Sequence, residues 1–476
     1  MMQHIIKRQI IDLAVDKKLD AFFIQQKVSN EYYSKILPIL LKAFDGASND
    51  DEVIEIDSVA IDIGIIDSKD LEKIDWADIV SKKITEQLTA VKLGLASNIN
   101  SVNKTRVLSS ADQWIFYMRH GYLPWNVLAP NEDWYSNVLS AFAADSKAIT
   151  KLRDLIKNNS DSVTRMVSQN SASFLSSLVE TLTAENQAEL NRSINEIAEI
   201  IASKIGRGKL VNLFRSNEVK QKLWREVLEL TAFGDKNETS SRIAFQLLTN
   251  NLSPQQLRSG KAKDFLLKNK TGAALFKKII KEKENKFIDP KEKISTKEVT
   301  GKENINAPDK EGIFVSNAGI ILLHPFLFRF FKNLNLFAEE RFIDKLSHQK
   351  ALYLLHYLAT GNTSPQEYEL VIAKIISGYS LEEPVNHSFK LTQHELKESE
   401  SLLLSAIGQW EILKSTSPDG LREGFLQRNG KLYSKNGILT LQIEQGPIDM
   451  LLDHLPWNLS IVKLPWMKDI LKVEWR

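Results

Sequence analysis

Cysteine is absent from this 476-residue chain, which excludes disulfide frameworks, cysteine-ligated zinc and thiol nucleophiles together. There is also no G-x-S-x-G nucleophile elbow and no H-E-x-x-H zinc helix. Neither sign of charge is in excess: 62 Lys and Arg stand against 60 Asp and Glu. A nucleic-acid or anionic-membrane binder needs a clustered basic surplus, so neither partner is expected. The opening residues, Met1 to Arg8, lack the apolar stretch of a secretory signal. Long apolar runs are missing too. The best candidate, Ile313 to Phe331, is broken by Asn317, His324, Pro325 and Arg329, which predicts a buried core segment and no membrane span. A protein made and folded in the cytoplasm is the expectation.

What is present is ordinary globular material, 43% hydrophobic and 26% charged, long enough for about three domains. Ile11, Leu13 and Val15 alternate with polar or small residues, predicting a strand. Leu19 to Leu40 has helical spacing, with Pro38 expected to kink or end the helix. From Val53 to Ile63 the apolar positions alternate, but their phase slips by one residue near Ser58, as in a bulged strand. Ser68 to Leu95 reads as helix and Ser97 to Asn103 as a polar loop. Farther on, Leu190, Ile194, Ile197 and Ile201 are spaced four, three and four, the stripe of a helix packed in a bundle. Between Lys281 and Glu311, 16 of 31 residues are charged, too many to bury a core, which predicts an exposed linker. In the C-terminal part Asn436-Gly437 is a hairpin signal, Gly446-Pro447 opens a short helix, and Leu459 to Leu464 and Leu471 to Trp475 read as strands. The expected fold is mainly α with small β elements near both ends (α+β) and several domains. These are 1–134 with strand, helix, strand and further helices; a helical middle region, 135–280; a charged linker, 281–311; and a C-terminal helical domain with a small β-sheet, 312–476.

Chemistry is hard to find. Gly206-Arg207-Gly208-Lys209 has the look of a phosphate loop but lacks its upstream glycine and its hydroxyl residue, so a helix-ending turn is expected. Six of the eight histidines lie in the C-terminal part: His324, His348, His356, His387, His394 and His454. His348 and His356 could share a helix face but are two turns apart, too far to hold one ion unaided. Asp449 and Asp453, with His454 adjacent, could be drawn as an acid–base pair; carboxylates in a helix's first turn are equally expected from the macrodipole. No catalytic, cofactor-binding or metal-ligating residue is assigned, and no cofactor.

The most unusual stretch is the last 28 residues, from Asp449 to Arg476, with Leu455-Pro456-Trp457, Leu464-Pro465-Trp466 and Val473-Glu474-Trp475. A third Leu-Pro-Trp occurs at Leu123-Pro124-Trp125. In each, proline holds the leucine extended and presents the indole on a stiff backbone, as an aromatic plug at an element's end. Three tryptophans near a terminus should be docked, either as a domain's closing strands or as an anchor for a partner. The hairpin nearby offers a surface, so Trp457 and Trp466 are predicted to be mostly buried.

These motifs form an ordered set: Ile56 to Gly64 (IDSVAIDIG), Gly121-Tyr122-Leu123-Pro124-Trp125, Asn317 to Leu327 (NAGIILLHPFL), Leu355 to Gly361 (LHYLATG), Gly420 to Leu426 (GLREGFL) and the closing LPW…LPWM…VEW. Together they resemble the tape-measure protein family of bacterial contractile injection systems, phage-tail-like particles with an inner tube, a contractile sheath and a baseplate. The resemblance implies a non-enzymatic structural protein in the lumen of the growing inner tube. It would contact tube and baseplate or spike proteins in several copies, and set tube length and assembly initiation. Its location would be cytoplasmic during assembly, then the particle lumen, then outside the cell. The family brings no catalytic or cofactor residues. Two other readings stay open, a baseplate adaptor or assembly chaperone of the same particle, and a delivered hydrolase using the C-terminal histidines.

Overall fold

A computed structural model describes residues 6, 9–47, 52–56, 58–65, 76–92, 101–127, 130–205, 209–233, 238–257, 260–268, 312–385 and 390–475. The chain divides into two compact units, Met1–Asp112 with Ala129–Ala141, and Gln113–Leu128 with Phe142–Arg476. The fold is mainly helical with small sheets. The charged linker and the Gly206 to Gly208 turn lie outside the described residues.

In the first unit Asp20 starts α1 (Ala21–Glu31) by accepting the Phe22 and Phe23 amides, the usual N-cap device. Pro38 does not end the helix. A π turn, Tyr32–Ile36, precedes it, and α2 (Leu37–Ala47) follows directly; the Leu37 amide bonds to the Tyr32 carbonyl. The wider five-residue bond spacing gives the proline ring room that an α-turn would deny it. Helix α3 (Trp76–Lys92) lays Val80, Ile84 and Leu88 on Ile36 and Leu40 to make a small core.

Two strand expectations needed correction here. Ile11 to Val15 is not a strand, and Ile11 and Leu13 are exposed; alternation alone makes no ladder without a partner. Ser101 to Asn103, taken for loop, begins β2 (Ser101–Thr105), which pairs antiparallel with β1 (Glu52–Ile56). Strand pairing overrides a polar composition. Beyond β1 the alternation is kept without a ladder. Val59, Ile61 and Ile63 pack on the same small core as Ile56, which is the phase slip read near Ser58. The carbonyls of Ala60 and Asp62 are taken by Gln87 and Lys83 of α3 in place of a neighbouring strand.

Helices α4 (Arg106–His120) and α5 (Glu132–Ala144) precede the helical middle. It consists of α6 (Ser146–Asn158), α7 (Ser160–Gln169), α8 (Ala172–Thr183), α9 (Leu190–Ile205), α10 (Lys209–Phe233), α11 (Ser240–Asn251), α12 (Pro254–Leu257) and α13 (Gly260–Lys268). Asp145, Asn159, Ser171 and Thr239 cap successive starts with their side chains. Leu190, Ile194, Ile197 and Ile201 are buried in α9, which packs on α10 and α11, so the stripe is a bundle core.

The C-terminal part is organised on a five-stranded sheet in the order β3-β6-β7-β9-β8. β6 (Gly430–Lys435) and β7 (Ile438–Ile443) form the expected hairpin, with Asn436 and Gly437 both at positive φ, as a two-residue type I′ turn requires. β9 (Leu471–Glu474) runs parallel to β7. The strand read at Leu459 to Leu464 shrinks to β8 (Ile461–Val462), because Pro465 has no amide to donate and Leu464 turns instead. The outer strand β3 (Ile313–Val315) comes from over a hundred residues upstream. It leads through a 3-10 turn, Ala318–Leu323, into α14 (His324–Asn333), so Ile313 to Phe331 is core. Among the described residues no helix is long and apolar enough to cross a membrane. Gly319 in this turn touches the backbone of Phe425: a Cβ would sit 1.8 Å from that carbonyl oxygen. The remaining elements are the short hairpin β4 (Phe337–Ala338) and β5 (Arg341–Phe342), α15 (Lys345–Thr360), a 3-10 turn Glu367–Leu370, α16 (Val371–Ser377), α17 (Gln393–Gln409), a 3-10 turn Glu411–Leu413, α18 (Pro418–Leu421), a π turn Arg422–Leu426 and a 3-10 turn Asp449–His454.

Candidate functional site

The terminal tryptophans act on helix ends. The Trp457 indole donates to the Leu322 carbonyl at 3.0 Å, with Phe326 edge-on at 5.2 Å. Trp466 donates to the Ile376 carbonyl at 2.8 Å, inside a ring cluster with Phe331, Phe337 and Phe342. Each carbonyl lies in the last turn of a helical segment, where no intrahelical amide reaches it. The end of α16 is satisfied completely. The Lys374 carbonyl accepts the Tyr379 amide and Ile375 accepts Gly378. Ile376 accepts the Trp466 indole, and Ser377 accepts the His348 ring at 2.8 Å. Gly378, at φ 72, closes so tightly that a Cβ would meet the Trp466 carbonyl at 3.0 Å. Trp457 and Trp466 are mostly buried, as expected, packed against the C-terminal core with part of each residue left at the surface. Trp475 is fully inside, at 5% exposure. Trp125, in the third copy, is half-buried.

Near α16 lies a buried ionic cluster. Glu367 is completely buried and accepts Arg165 at 3.0 Å and Lys374 at 2.6 Å. Arg165 sits on α7, two hundred residues upstream, and is also completely buried. Its remaining N–H groups reach the carbonyls of Met118, Arg119 and Glu382. Lys374 donates further to the carbonyls of Leu381 and Glu383. Burial pushes the Lys374 ammonium pKa down, opposed by the Glu367 carboxylate. The Glu367 amide completes the set by donating to the Gln169 side chain at 2.8 Å. Two cations thus share one carboxylate, and five backbone carbonyls supply the rest of their solvation. Removing one partner from a buried, hydrogen-bonded pair costs about 3–5 kcal/mol.

Tyr379 also lines an open cleft of about 460 Å³, together with Phe342, His348, Trp466, Glu340 and Lys345, among others. Its rim is the β4–β5 hairpin, whose turn residues Glu339 and Glu340 hold φ of 49° and 65° without glycine. His348 stacks on Phe342 at 4.2 Å, and burial lowers its pKa.

The histidines do not assemble. His324 bonds the Ile321 carbonyl. His356 is buried, and neither ring nitrogen has a protein partner; burial pushes its pKa down to about 4. His394 and His454 are exposed, and His387 lies outside the described residues. Among the described residues no three His, Asp or Glu side chains could hold a metal ion together. Asp449 accepts the Gly446 amide at 2.8 Å and pairs with Arg428, so it holds the start of its own turn.

Arg165, Glu367 and Lys374 escaped sequence reading. One signal was available: Lys374 is a lone charge within Val371-Ile372-Ala373-Lys374-Ile375-Ile376. A charge that interrupts an apolar face needs a partner. Its partner on a distant helix leaves no local trace.

The family model described as contractile injection system tape measure protein matches residues 3–475. Neither the curated proteins nor the solved structures give a significant match. The chain belongs to the contractile injection system tape measure protein family.

Proposed function

We propose that this chain is the length-setting structural component of its particle. It occupies the inner tube, contacts the tube and the baseplate or spike in several copies, and starts and limits the stacking of tube rings. It works by protein–protein contact, without an enzymatic step. It assembles in the cytoplasm and ends in the particle lumen. The observation that carries this reading is a family match over nearly the whole chain. The absence of any motif for nucleophilic or zinc chemistry agrees with it.

A ruler must span what it measures. The region Ser146 to Lys268 as one continuous helix would extend about 180 Å, whereas α10, the longest helix among the described residues at 25 residues, reaches only about 38 Å. Length control therefore uses a longer form of the chain than the packed bundle. Duplicating 146–268 tests this. Tubes lengthened in proportion, seen in electron micrographs of particles that contain the variant, are expected. Unchanged tubes with the variant inside would overturn length control.

A specific observation favours a second reading. Side-chain caps at Asp145, Asn159, Ser171 and Thr239 start α6, α7, α8 and α11 as separate helices, a feature of a chain that works compact. In that case it is a baseplate adaptor or assembly chaperone, and mass spectrometry of purified particles would find it missing or confined to the baseplate.

A further inference from the structure

The helical middle and the C-terminal core have separate apolar interiors. Among the described residues, every buried member of the C-terminal core lies between Ile313 and Trp475, and Tyr122 is the one half-buried residue packed on it from upstream. The middle buries its own apolar residues internally, with α10 packed on α6, α7, α8, α9 and α11. Between them stands the cluster of Arg165, Glu367 and Lys374, flanked by Tyr117 against Tyr368 at 5.8 Å and by the Gln169 bond to the Glu367 amide. The fit is close. At Gly121, with φ 79°, a Cβ would lie 2.7 Å from a Glu367 carboxylate oxygen and 3.0 Å from the Arg165 guanidinium.

A joint of this composition differs physically from an apolar one. Pulling apart two halves of a hydrophobic core exposes surface that water penalises. Pulling apart this joint exposes chiefly a carboxylate, two cations and carbonyls, which water solvates well, with Tyr117 against Tyr368 and the packing of Tyr122 as its small apolar part. The buried charges demand one geometry when closed, yet they do not hold the parts together as an apolar contact of similar volume would.

We propose that Arg165, Glu367 and Lys374 form a releasable joint, at which the helical middle separates from the C-terminal core while both stay folded. Closed, Arg165 is gripped by Glu367 and by the Met118 and Glu382 carbonyls. Open, the C-terminal core keeps its sheet and tryptophan plugs, and the middle is free to lie along a narrow tube. That use of release rests on the length-control reading; the release itself does not.

The test uses the full chain. Glu367→Gln leaves two buried cations without a counter-charge, and Gly121→Ala wedges the joint without removing a charge. In both variants the residue-367 amide, which reports the bond to Gln169, should exchange with solvent roughly a hundredfold faster or more. The radius of gyration from small-angle scattering should grow. Amides of 351–359, 439–443 and 194–201 should keep their wild-type rates. Faster exchange in those segments together with residue 367 would show one cooperative body and overturn the joint, as would an unchanged residue-367 amide. The triple variant Arg165→Met, Glu367→Leu, Lys374→Met replaces charge with apolar volume and should stay closed. Release in that variant would show that the ions are not what makes the joint separable. Normal tubes built by a triple variant that stays closed would remove the assembly role and leave the joint standing.

Discussion

The first unit's small core and the C-terminal core use aromatic residues in opposite ways. Ile36, Leu40, Val80, Ile84 and Leu88 make up the first, with Tyr32 and Phe44 only partly buried against it, while Phe22 and Phe23 on α1 and Tyr33 in the π turn stand exposed at 66%, 59% and 68%. The C-terminal core puts Trp410 and Trp475 inside and uses Trp457 and Trp466 to finish helix ends. A large ring stabilises a fold only when the surrounding elements enclose it. A sheet covered by helices encloses; a helix with one packed neighbour leaves half its circumference outside.

That contrast can be broken or sharpened by substitution, measured as shifts in denaturant midpoint. The largest effect is expected from Trp410→Ala, which empties a site only 2% exposed and should cost about 3–5 kcal/mol. Gly319→Ala should approach it, at about 3 kcal/mol, because its new methyl meets backbone that cannot rotate away.

His356 gives a pH-dependent effect of intermediate size. Its folded pKa, about 4, lies below the ordinary value near 6.5. The unfolded chain therefore binds the extra proton first as pH falls. The neutral ring's contribution is complete above about pH 6.5 and is lost progressively down to about pH 4, a difference of roughly 3 kcal/mol. His356→Leu should flatten the acid limb of the stability profile between pH 6.5 and 4; an unaltered limb would contradict this origin. Gly437→Ala, at φ 78° in the hairpin, should cost about 1 kcal/mol. The smallest effect is expected from Phe22→Ser with Phe23→Ser, within about 0.5 kcal/mol. A large loss there would mean that these rings are enclosed and would dissolve the contrast.

Much of the C-terminal fold and part of the helical middle could be read in advance, because their signals are local. Asn436-Gly437 specifies its turn by the φ values it tolerates. Leu439, Leu441 and Ile443 share a face by the period of a strand, and the four-three-four spacing from Leu190 to Ile201 is a packed stripe by the period of a helix. The failures also have local causes. Ile11 to Val15 has a strand's alternation but finds no partner, and the strand at Ser101 is made by pairing with Glu52 to Ile56, which its own composition does not announce. The candidate site was half legible. The tryptophans were visible as plugs, but which carbonyls they would cap was not, since Leu322 and Ile376 lie 135 and 90 residues away.

By itself the sequence determined the helical character, the hairpin, the stiffened Leu-Pro-Trp presentation and, through its ordered motifs, the family, because each depends on dihedral preference, periodicity or residue identity along a short stretch. Only the tertiary structure decided that Ile313 to Val315 would edge the C-terminal sheet, that two indoles and a histidine would complete helix ends, and that Arg165 would meet Glu367 and Lys374. Those outcomes depend on which distant surfaces come together. Burial turns a lone charge or an unbonded carbonyl into a demand for a partner, and the folded chain supplies it from wherever geometry allows.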